Sequence, residues 1–181
     1  AQAHMVADLE QLDAIIDKFL DYARPDHVRL APVNLNEVIR ASLFAFKDRP
    51  DMLFNLDLQD SVTVLADTVE LGRVISNLVE NSRRYGKDPE SGITTVDITT
   101  RARDQWVQIR VRDHGPGVAP EHLPNLTKPF YRGDEARTAA TGAGLGLSIV
   151  DKTVRRMGGK FGLGNSSTGG FTIRIQLQQA R

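Results

Sequence analysis

The order of its segments predicts an α+β fold for this chain: a two-layer sandwich with helices on one face of a mixed sheet, preceded by one bundle-type helix. Three observations lead to this prediction. Segments alternate along the 181 residues as helix, strands, helix, strands, loop, helix and strands. The helical segments are apolar on one side only. Two of the strand segments alternate apolar and polar residues, which is typical of a sheet with one buried face.

Residues 5–24 are predicted to form one amphipathic helix. Apolar side chains recur at spacings of four and three from Met5 to Ala23, the seam of a coiled coil or helical bundle. One such helix cannot bury its own stripe, so it needs a partner helix from another chain or from missing sequence. Residues 1–4 have no pattern and are interpreted as a cloning scar. Residues 25–33 are predicted to be a linker.

The next helix and two short strands follow this linker. Asn34 or Asn36 can cap a helix that runs to about Arg49. Two short strands are expected over Met52–Leu58 and Val62–Leu65, because apolar residues dominate both and a turn-forming pair separates them.

A long helix and an antiparallel strand pair occupy the middle of the chain. Asp67 begins a capping-box-like sequence for a helix that extends to about Tyr85. The segments Thr94–Thr100 and Trp106–Arg112 alternate regularly on either side of a turn at Asp104, which predicts an antiparallel pair.

The last third of the chain begins with a long loop region, over residues 114–143, in which a short helix is expected near Glu121–Leu126. A helix over Leu145–Met157 and two closing strands, Lys160–Gly164 and Phe171–Leu177, complete the predicted sheet. Nine of the fifteen glycines fall between residues 142 and 170, which suggests either backbone held close to a ligand or a set of tight turns.

Composition excludes several classes of function. Lysine plus arginine and aspartate plus glutamate both number 23, so no positive excess favours nucleic acid or an anionic membrane as a partner. The absence of cysteine excludes disulfides, thiolate nucleophiles and thiolate metal sites. No apolar run is long enough to span a bilayer, and no signal peptide opens the chain. We therefore expect a cytoplasmic chain that binds no nucleic acid.

The helix over residues 67–85 carries a polar strip beside its buried stripe. Asn77 and Asn81 are one turn apart on this strip, and Arg84 lies next to them. A solvated helix edge would have this appearance. A metal–phosphate site would as well, because amide oxygens suit Mg²⁺ and arginine donates to phosphate.

Two glycine-containing segments also have both a structural and a functional interpretation. Asp113, beside Gly115 and Gly117, can form a simple turn, or it can be a buried carboxylate that accepts the exocyclic amine of adenine. The run from Gly142 to Leu147 enters a helix, whose free N–H groups attract phosphate. Neither a Rossmann site nor a P-loop fits, because a long loop precedes the run and no Gly-Lys-Ser/Thr follows it.

In their order along the chain, these segments closely resemble the N, G1, F, G2 and G3 boxes of the sensor histidine kinase catalytic domain, within the gyrase–Hsp90–histidine kinase–MutL ATPase superfamily. The corresponding residues are 77–85, 113–117, 128–134, 142–147 and 169–171. The resemblance makes residues 34–181 the expected catalytic ATP-binding domain. Residues 132–138 resemble EnvZ-type osmosensor kinases, and residues 5–24 resemble the second helix of that family's dimerisation and phosphoacceptor domain.

The resemblance implies that the chain binds ATP and Mg²⁺. Asn81 would be the Mg²⁺ ligand, with Asn77 supporting it from one turn earlier. Arg84 would meet the phosphates and Tyr85 would pack at the nucleotide. Residues 118–141 would form a mobile lid over the ATP. The remaining implied contacts to the nucleotide are Asp113, Gly115 and Gly117 at the adenine, Lys128, Phe130, Arg132 and Arg137 in the lid, and Gly142, Gly144, Gly146 and Leu147 at the triphosphate.

The resemblance also implies the partners. The γ-phosphoryl group would pass to a histidine of the kinase's own phosphoacceptor domain and then to an aspartate of a response regulator receiver domain. The full-length protein would be a homodimer whose cytoplasmic part includes this chain, beneath an inner membrane.

Three departures from the family pattern accompany this resemblance. The phosphoacceptor box is absent, since none of the four histidines is followed by an acidic residue. The F box has Leu126 and Thr127 where an earlier phenylalanine is often found, which we expect to loosen the packing of the lid. Ala143 replaces a common threonine, with little expected effect.

Three other functions remain possible from the sequence. An ATP-hydrolysing clamp would have a glutamate in place of Asn77 and a following transducer domain, and neither is present. A switch-type serine kinase fits poorly with the bundle-like first helix. A catalytically silent nucleotide-binding module fits poorly with the intact Asn81, Asp113 and glycine run. We expect the affinities for Mg-ATP and Mg-ADP to separate the silent module from the others.

Overall fold

The computed structural model describes residues 12–13, 15–16, 19–20, 27–128 and 146–180. Two short 3₁₀ helices cover Phe44–Phe46 and Pro120–Asn125. The strands and longer helices, in chain order, are β1 (Ala31–Asn34), α1 (Leu35–Leu43), β2 (Met52–Leu58), β3 (Thr63–Ala66), α2 (Thr68–Tyr85), β4 (Thr94–Arg103), β5 (Trp106–Asp113), α3 (Gly146–Arg156), β6 (Lys160–Asn165) and β7 (Phe171–Gln178).

A five-stranded sheet in the order β2-β4-β5-β7-β6 forms one layer. The β2–β4 pair is parallel and the other pairs are antiparallel, so the sheet is mixed as predicted. On one face Ile98, Ile109 and Ile175 are fully buried, in one core with apolar side chains of α1, α2 and α3. Arg110 and Arg174, on alternate positions of the same strands, are exposed on the other face. The two-layer sandwich with helices on one face is therefore confirmed.

A second, two-stranded sheet replaces part of the predicted linker. β1 pairs antiparallel with β3, with Val33 opposite Val64, and both of these side chains are buried. Pro32 fits in β1 because a strand in so small a sheet has an open edge at which no N–H group is needed. The prediction of a linker over residues 25–33 is therefore wrong for residues 31–33. These residues form a strand, in which the side chain of Val33 is buried.

The cap of α1 follows one of the two predicted alternatives. The side chain of Asn34 accepts a hydrogen bond of 3.2 Å from the N–H of Glu37, so Asn34 is the N-cap. Asn36 is buried instead, and its amide donates to the carbonyl of Gln59 at 2.7 Å. The helix ends at Leu43 and continues only as a 3₁₀ turn, which makes it shorter than predicted.

The long helix α2 is capped and oriented as predicted. Asp67 accepts hydrogen bonds from the N–H groups of Val69 and Glu70, at 3.0 and 3.2 Å, and from that of Arg29. Burial raises the pKa of Asp67, but these backbone hydrogen bonds lower it by more. The predicted inward stripe is buried; it consists of Leu71, Val74, Ile75, Leu78 and Ser82. This side of α2 lies against the sheet, and the polar edge of the helix lies beside it.

The described part of the first predicted helix is helical. Leu12 and Ile16, two members of the predicted stripe, lie in it and are 51% and 46% exposed. These exposed apolar side chains agree with a stripe that awaits a partner helix, and the assignment of residues 5–24 to a dimerisation domain stays a prediction. Among the described residues, no helix combines the length and the apolar character that crossing a membrane requires.

Candidate functional site

Helix α2 carries four of the predicted site residues along one edge. Asn77, Asn81 and Arg84 are half-buried beside the buried stripe, as the helical periodicity predicted. Tyr85, which only the resemblance indicated, is the last residue of the helix and is half-buried as well. Asn77 also lines a groove of about 430 Å³ between α1 and α2. The edge therefore offers amide and guanidinium groups at the border of the apolar core.

Arg84 is oriented by an acidic neighbour on its own helix. Its Nε donates to Oε1 of Glu80 at 3.0 Å, and Arg83 donates to the same oxygen. Burial raises the pKa of Glu80, but hydrogen bonds and charge from the two arginines lower it by more. Glu80 is therefore ionised at neutral pH, and its charge holds Arg84 against the helix.

Asp113 provides the most tightly fixed polar group of the site. It is the last residue of β5 and is 3% exposed. Its Oδ1 accepts hydrogen bonds from the N–H groups of Gly115, at 3.0 Å, and Phe171, at 3.1 Å. Burial of a carboxylate is costly without such donors, so the two amides both stabilise Asp113 and set its orientation.

Three glycines bring separate backbone segments against Asp113. A Cβ atom on Gly86, which caps the end of α2, would lie 2.5 Å from Cβ of Asp113. One on Gly115 would lie 2.7 Å from Cα of Gly86, and one on Gly170 would lie 2.0 Å from the carbonyl oxygen of Asp113. The structure thus joins the end of α2 to the loop after β5, as the predicted site requires. Sequence reasoning missed Gly86, because its approach to Asp113 joins positions that are far apart in the chain.

The far side of the loop is fixed by a residue that sequence reasoning also missed. Gly117 has a φ of +76°, a conformation that favours glycine. The next residue, Val118, forms two hydrogen bonds with the side chain of Asn165 on β6, through its N–H at 2.9 Å and its carbonyl at 2.6 Å. No sequence motif marked Asn165, because this contact joins positions far apart in the chain.

The first part of the predicted lid is anchored in the core. Val118 and Leu126 are both buried, on either side of the 3₁₀ helix Pro120–Asn125. Leu126 itself fills an apolar position in the core. The expected effect of the missing phenylalanine on the packing of the lid stays a prediction, because most of the lid lies outside the described residues. Lys128 is exposed at the end of the described stretch. The other predicted lid residues, Phe130, Arg132 and Arg137, lie outside the described residues.

Helix α3 begins at the end of the predicted glycine run. Gly146 is its first residue, Leu147 is buried beneath it, and the helix packs against α2. Helix α3 is therefore held beside the helix that carries the two asparagines. Gly142 and Gly144 lie outside the described residues.

Comparison with known proteins identifies relatives of the whole arrangement. Residues 66–181 match the family of histidine kinase-, DNA gyrase B- and HSP90-like ATPases. The chain is 33% identical over 181 residues to the signal transduction histidine-protein kinase BaeS of Escherichia coli, covering 98% of this chain and 37% of BaeS. It is 32% identical to the histidine-protein kinase/phosphatase MprB of Mycolicibacterium paratuberculosis, covering 93% of this chain and 32% of MprB. The chain thus spans about a third of the length of these curated relatives.

Solved structures of histidine kinases have the same fold. The mycobacterial sensor histidine kinase MprB superposes with a TM-score of 0.70 at 26% identity, over 83% of this chain and 98% of that structure. Full-length ShkA in complex with AMPPNP superposes with a TM-score of 0.80 at 25% identity, over 99% of this chain and 39% of ShkA. Because the family match covers more than half of the sequence, the chain belongs to the histidine kinase-, DNA gyrase B- and HSP90-like ATPases.

Proposed function

We propose that this chain is the catalytic domain of a two-component sensor histidine kinase, which binds Mg-ATP and donates the γ-phosphoryl group to a histidine outside this sequence. The observation that carries the proposal is the buried, oriented carboxylate of Asp113 against the backbone of Gly86 and Gly170. An ionised carboxylate only accepts hydrogen bonds, so it suits the exocyclic amine of adenine and disfavours the carbonyl that guanine has there. The two glycines leave room for this carboxylate and its backbone, because a Cβ atom on either of them would clash with Asp113.

The phosphate end of ATP would be held between α2 and α3. Asn81 would ligate the metal through its amide oxygen, with Asn77 supporting it one turn earlier. Arg84 would exchange its bond to Glu80 for one to phosphate. In the described part of the chain, no three histidine, cysteine, aspartate or glutamate side chains form a metal cluster. Amide and phosphate oxygens are hard ligands that suit Mg²⁺, which would neutralise phosphate charge when bound.

The remaining predicted contacts complete this proposal. The first turn of α3, at Gly146 and Leu147, would direct N–H groups at the triphosphate. Gly115 and Gly117 would line the base. The exposed Lys128 would also contact the nucleotide. The proposed contacts that lie outside the described residues are Phe130, Arg132, Arg137, Gly142 and Gly144.

Catalysis by this domain would consist of positioning and charge neutralisation, because phosphoryl transfer needs little covalent help from the protein. The nucleophile would be a histidine of the kinase's own phosphoacceptor domain, and the phosphoryl group would then move to a response regulator receiver domain. The names of BaeS and MprB support the kinase activity. A structure of the kinase ThkA in complex with the response regulator TrrA supports the second partner. The resemblance to the kinase family also leads us to propose that the full-length protein is a homodimer.

The substitution Asp113→Asn tests this proposal. An amide can present a donor as well as an acceptor, so we expect the preference for ATP over GTP to fall by about tenfold or more, the loss of one charge-assisted hydrogen bond. Asp104→Asn is the matched control, because Asp104 is exposed at the β4–β5 turn with a φ of +57°, which asparagine tolerates. Calorimetric titration of each protein with both nucleotides measures the effect. Equal affinities for ATP and GTP in the unmodified chain would overturn the assignment.

A further inference from the structure

A polar network lies on the outer face of the sheet, at the same strand end as Asp113. Asp97 on β4 is in register with Asn55 on β2 and with Arg112 on β5. Its Oδ2 lies 2.7 Å from Nε2 of His114, and its Oδ1 accepts a hydrogen bond of 2.9 Å from the amide of Asn55. Asp97 therefore connects the loop after β5 to the two neighbouring strands.

The charge state of this network follows from its contacts. Burial raises the pKa of Asp97, but hydrogen bonds from Asn55 and His114, with the charges of His114 and Arg112, lower it by more. Asp97 is thus ionised at neutral pH and can only accept hydrogen bonds. Nε2 of His114 must carry the proton between them, so the histidine is the donor whether it is neutral or charged.

The contact between His114 and Asp97 matters for Asp113 because of where His114 lies in the chain. It stands between Asp113, which is buried on the helix side of the sheet, and Gly115, whose N–H orients the Asp113 carboxylate. Its own side chain bonds to Asp97 on the outer side. A Cβ atom on Gly170 would lie 3.1 Å from Cα of His114, so this backbone also lies close to the β7 side of the site. Rotation of the loop is opposed from both faces.

We infer that His114 and Asp97 form a positioning clamp, in which the outward histidine fixes the loop so that Asp113 meets adenine in one orientation. This inference rests on the proposed function, because it assumes that Asp113 binds the base. Both side chains are partly exposed, at 39% and 30%, and exposed ion pairs contribute little to overall stability. The clamp therefore acts on recognition of the base rather than on the stability of the domain.

The test measures binding of ATP, GTP and inorganic tripolyphosphate to the full chain by calorimetry, for His114→Ala, Asp97→Ala and the double variant. Each single substitution should weaken ATP binding on the order of fivefold and lower the preference for ATP over GTP, with tripolyphosphate binding unchanged. The double variant should bind ATP no more weakly than the worse single variant, because each substitution removes the same contact between His114 and Asp97. His114→Gln keeps a side-chain N–H donor and should retain most of the affinity.

Asp57→Ala is the matched control, because Asp57 forms an ion pair with Arg101 on the same face of the sheet, away from Asp113. It should leave all three affinities unchanged. The clamp is refuted if His114→Ala keeps the full ATP preference, if the two single effects add fully, or if tripolyphosphate binding falls as much as ATP binding. Asp113→Asn distinguishes failure of the clamp from failure of the proposed function. If Asp113→Asn leaves the preference for ATP unchanged, the proposed function is contradicted. If Asp113→Asn lowers this preference and His114→Ala does not, only the clamp is contradicted.

Discussion

The substitution Gly86→Ala perturbs the site by adding a single methyl group. The backbone of Gly86 has φ −100° and ψ 13°, which alanine can adopt, so only the new Cβ matters. This atom would lie 2.5, 2.6 and 2.8 Å from Cβ, Cγ and Oδ2 of Asp113. Carbon atoms in contact are about 3.5–4.0 Å apart, so one of the two segments must move by roughly 1 Å.

A shift of this size breaks the hydrogen bonds that orient Asp113. Its Oδ1 lies 3.0 and 3.1 Å from the N–H donors of Gly115 and Phe171. Movement by roughly 1 Å takes these distances beyond hydrogen-bonding range. A hydrogen bond to a charged group contributes about 1.5–3 kcal/mol. We expect Gly86→Ala to lower the free energy of unfolding by about 3 kcal/mol and to weaken ATP binding on the order of tenfold or more.

Gly72→Ala provides the matched control for this prediction. Gly72 lies in α2, where the nearest atom to an added Cβ is Oγ of Ser42 at 4.0 Å, an ordinary contact. This variant should be more stable by about 1 kcal/mol, since alanine favours a helix, and should bind ATP normally. Urea denaturation and calorimetry measure both quantities. Unchanged ATP affinity in Gly86→Ala would refute the reasoning that this glycine leaves room for the adenine-binding carboxylate.

Two further predictions concern the metal and the pH. Asn81→Ala should weaken ATP binding mainly when magnesium is present, because it removes an oxygen ligand; an equal loss in chelator would make Asn81 structural. The pKa of Asp97 lies below its ordinary value of 3.8 in the folded chain, since hydrogen bonds and charge outweigh its burial. Its contribution to stability is small, because the side chain is partly exposed; it is complete above the unfolded-state pKa and is lost as the pH falls through the folded-state value. In acid denaturation followed by circular dichroism, Asp97→Asn should flatten this loss, and an unchanged pH profile would contradict it.

Much of the fold could be predicted because its signals are local. Asp67 caps α2 through N–H groups two and three residues away, and the buried stripe of that helix repeats with the helical period. The alternation in β4 and β5 likewise reflects the one-sided burial of the sheet. Such features depend on neighbouring residues, and the sequence displays them directly.

The features that were missed depend on contacts between distant positions. β1 forms because Val33 packs in a strand opposite Val64. The sequence around Pro32 is typical of a linker and does not indicate this pairing. Gly86 matters through its approach to Asp113, and Asn165 through its two bonds to Val118. In each case the partner is more than 25 residues away, so no local pattern could identify it.

Transfer of phosphate from radiolabelled ATP tests the central proposal most directly. None of the four histidines of this chain is followed by the acidic residue of the family's phosphoacceptor box, so the chain alone should not become labelled. When mixed with a separate domain that carries such a histidine, it should label that domain slowly, because the effective concentration that tethering provides is lost. The label should be acid-labile, as expected for phosphohistidine. Acid-labile phosphate on the chain alone would contradict the account, and so would confirmed ATP binding without transfer to the second domain, which would instead indicate a silent nucleotide-binding module.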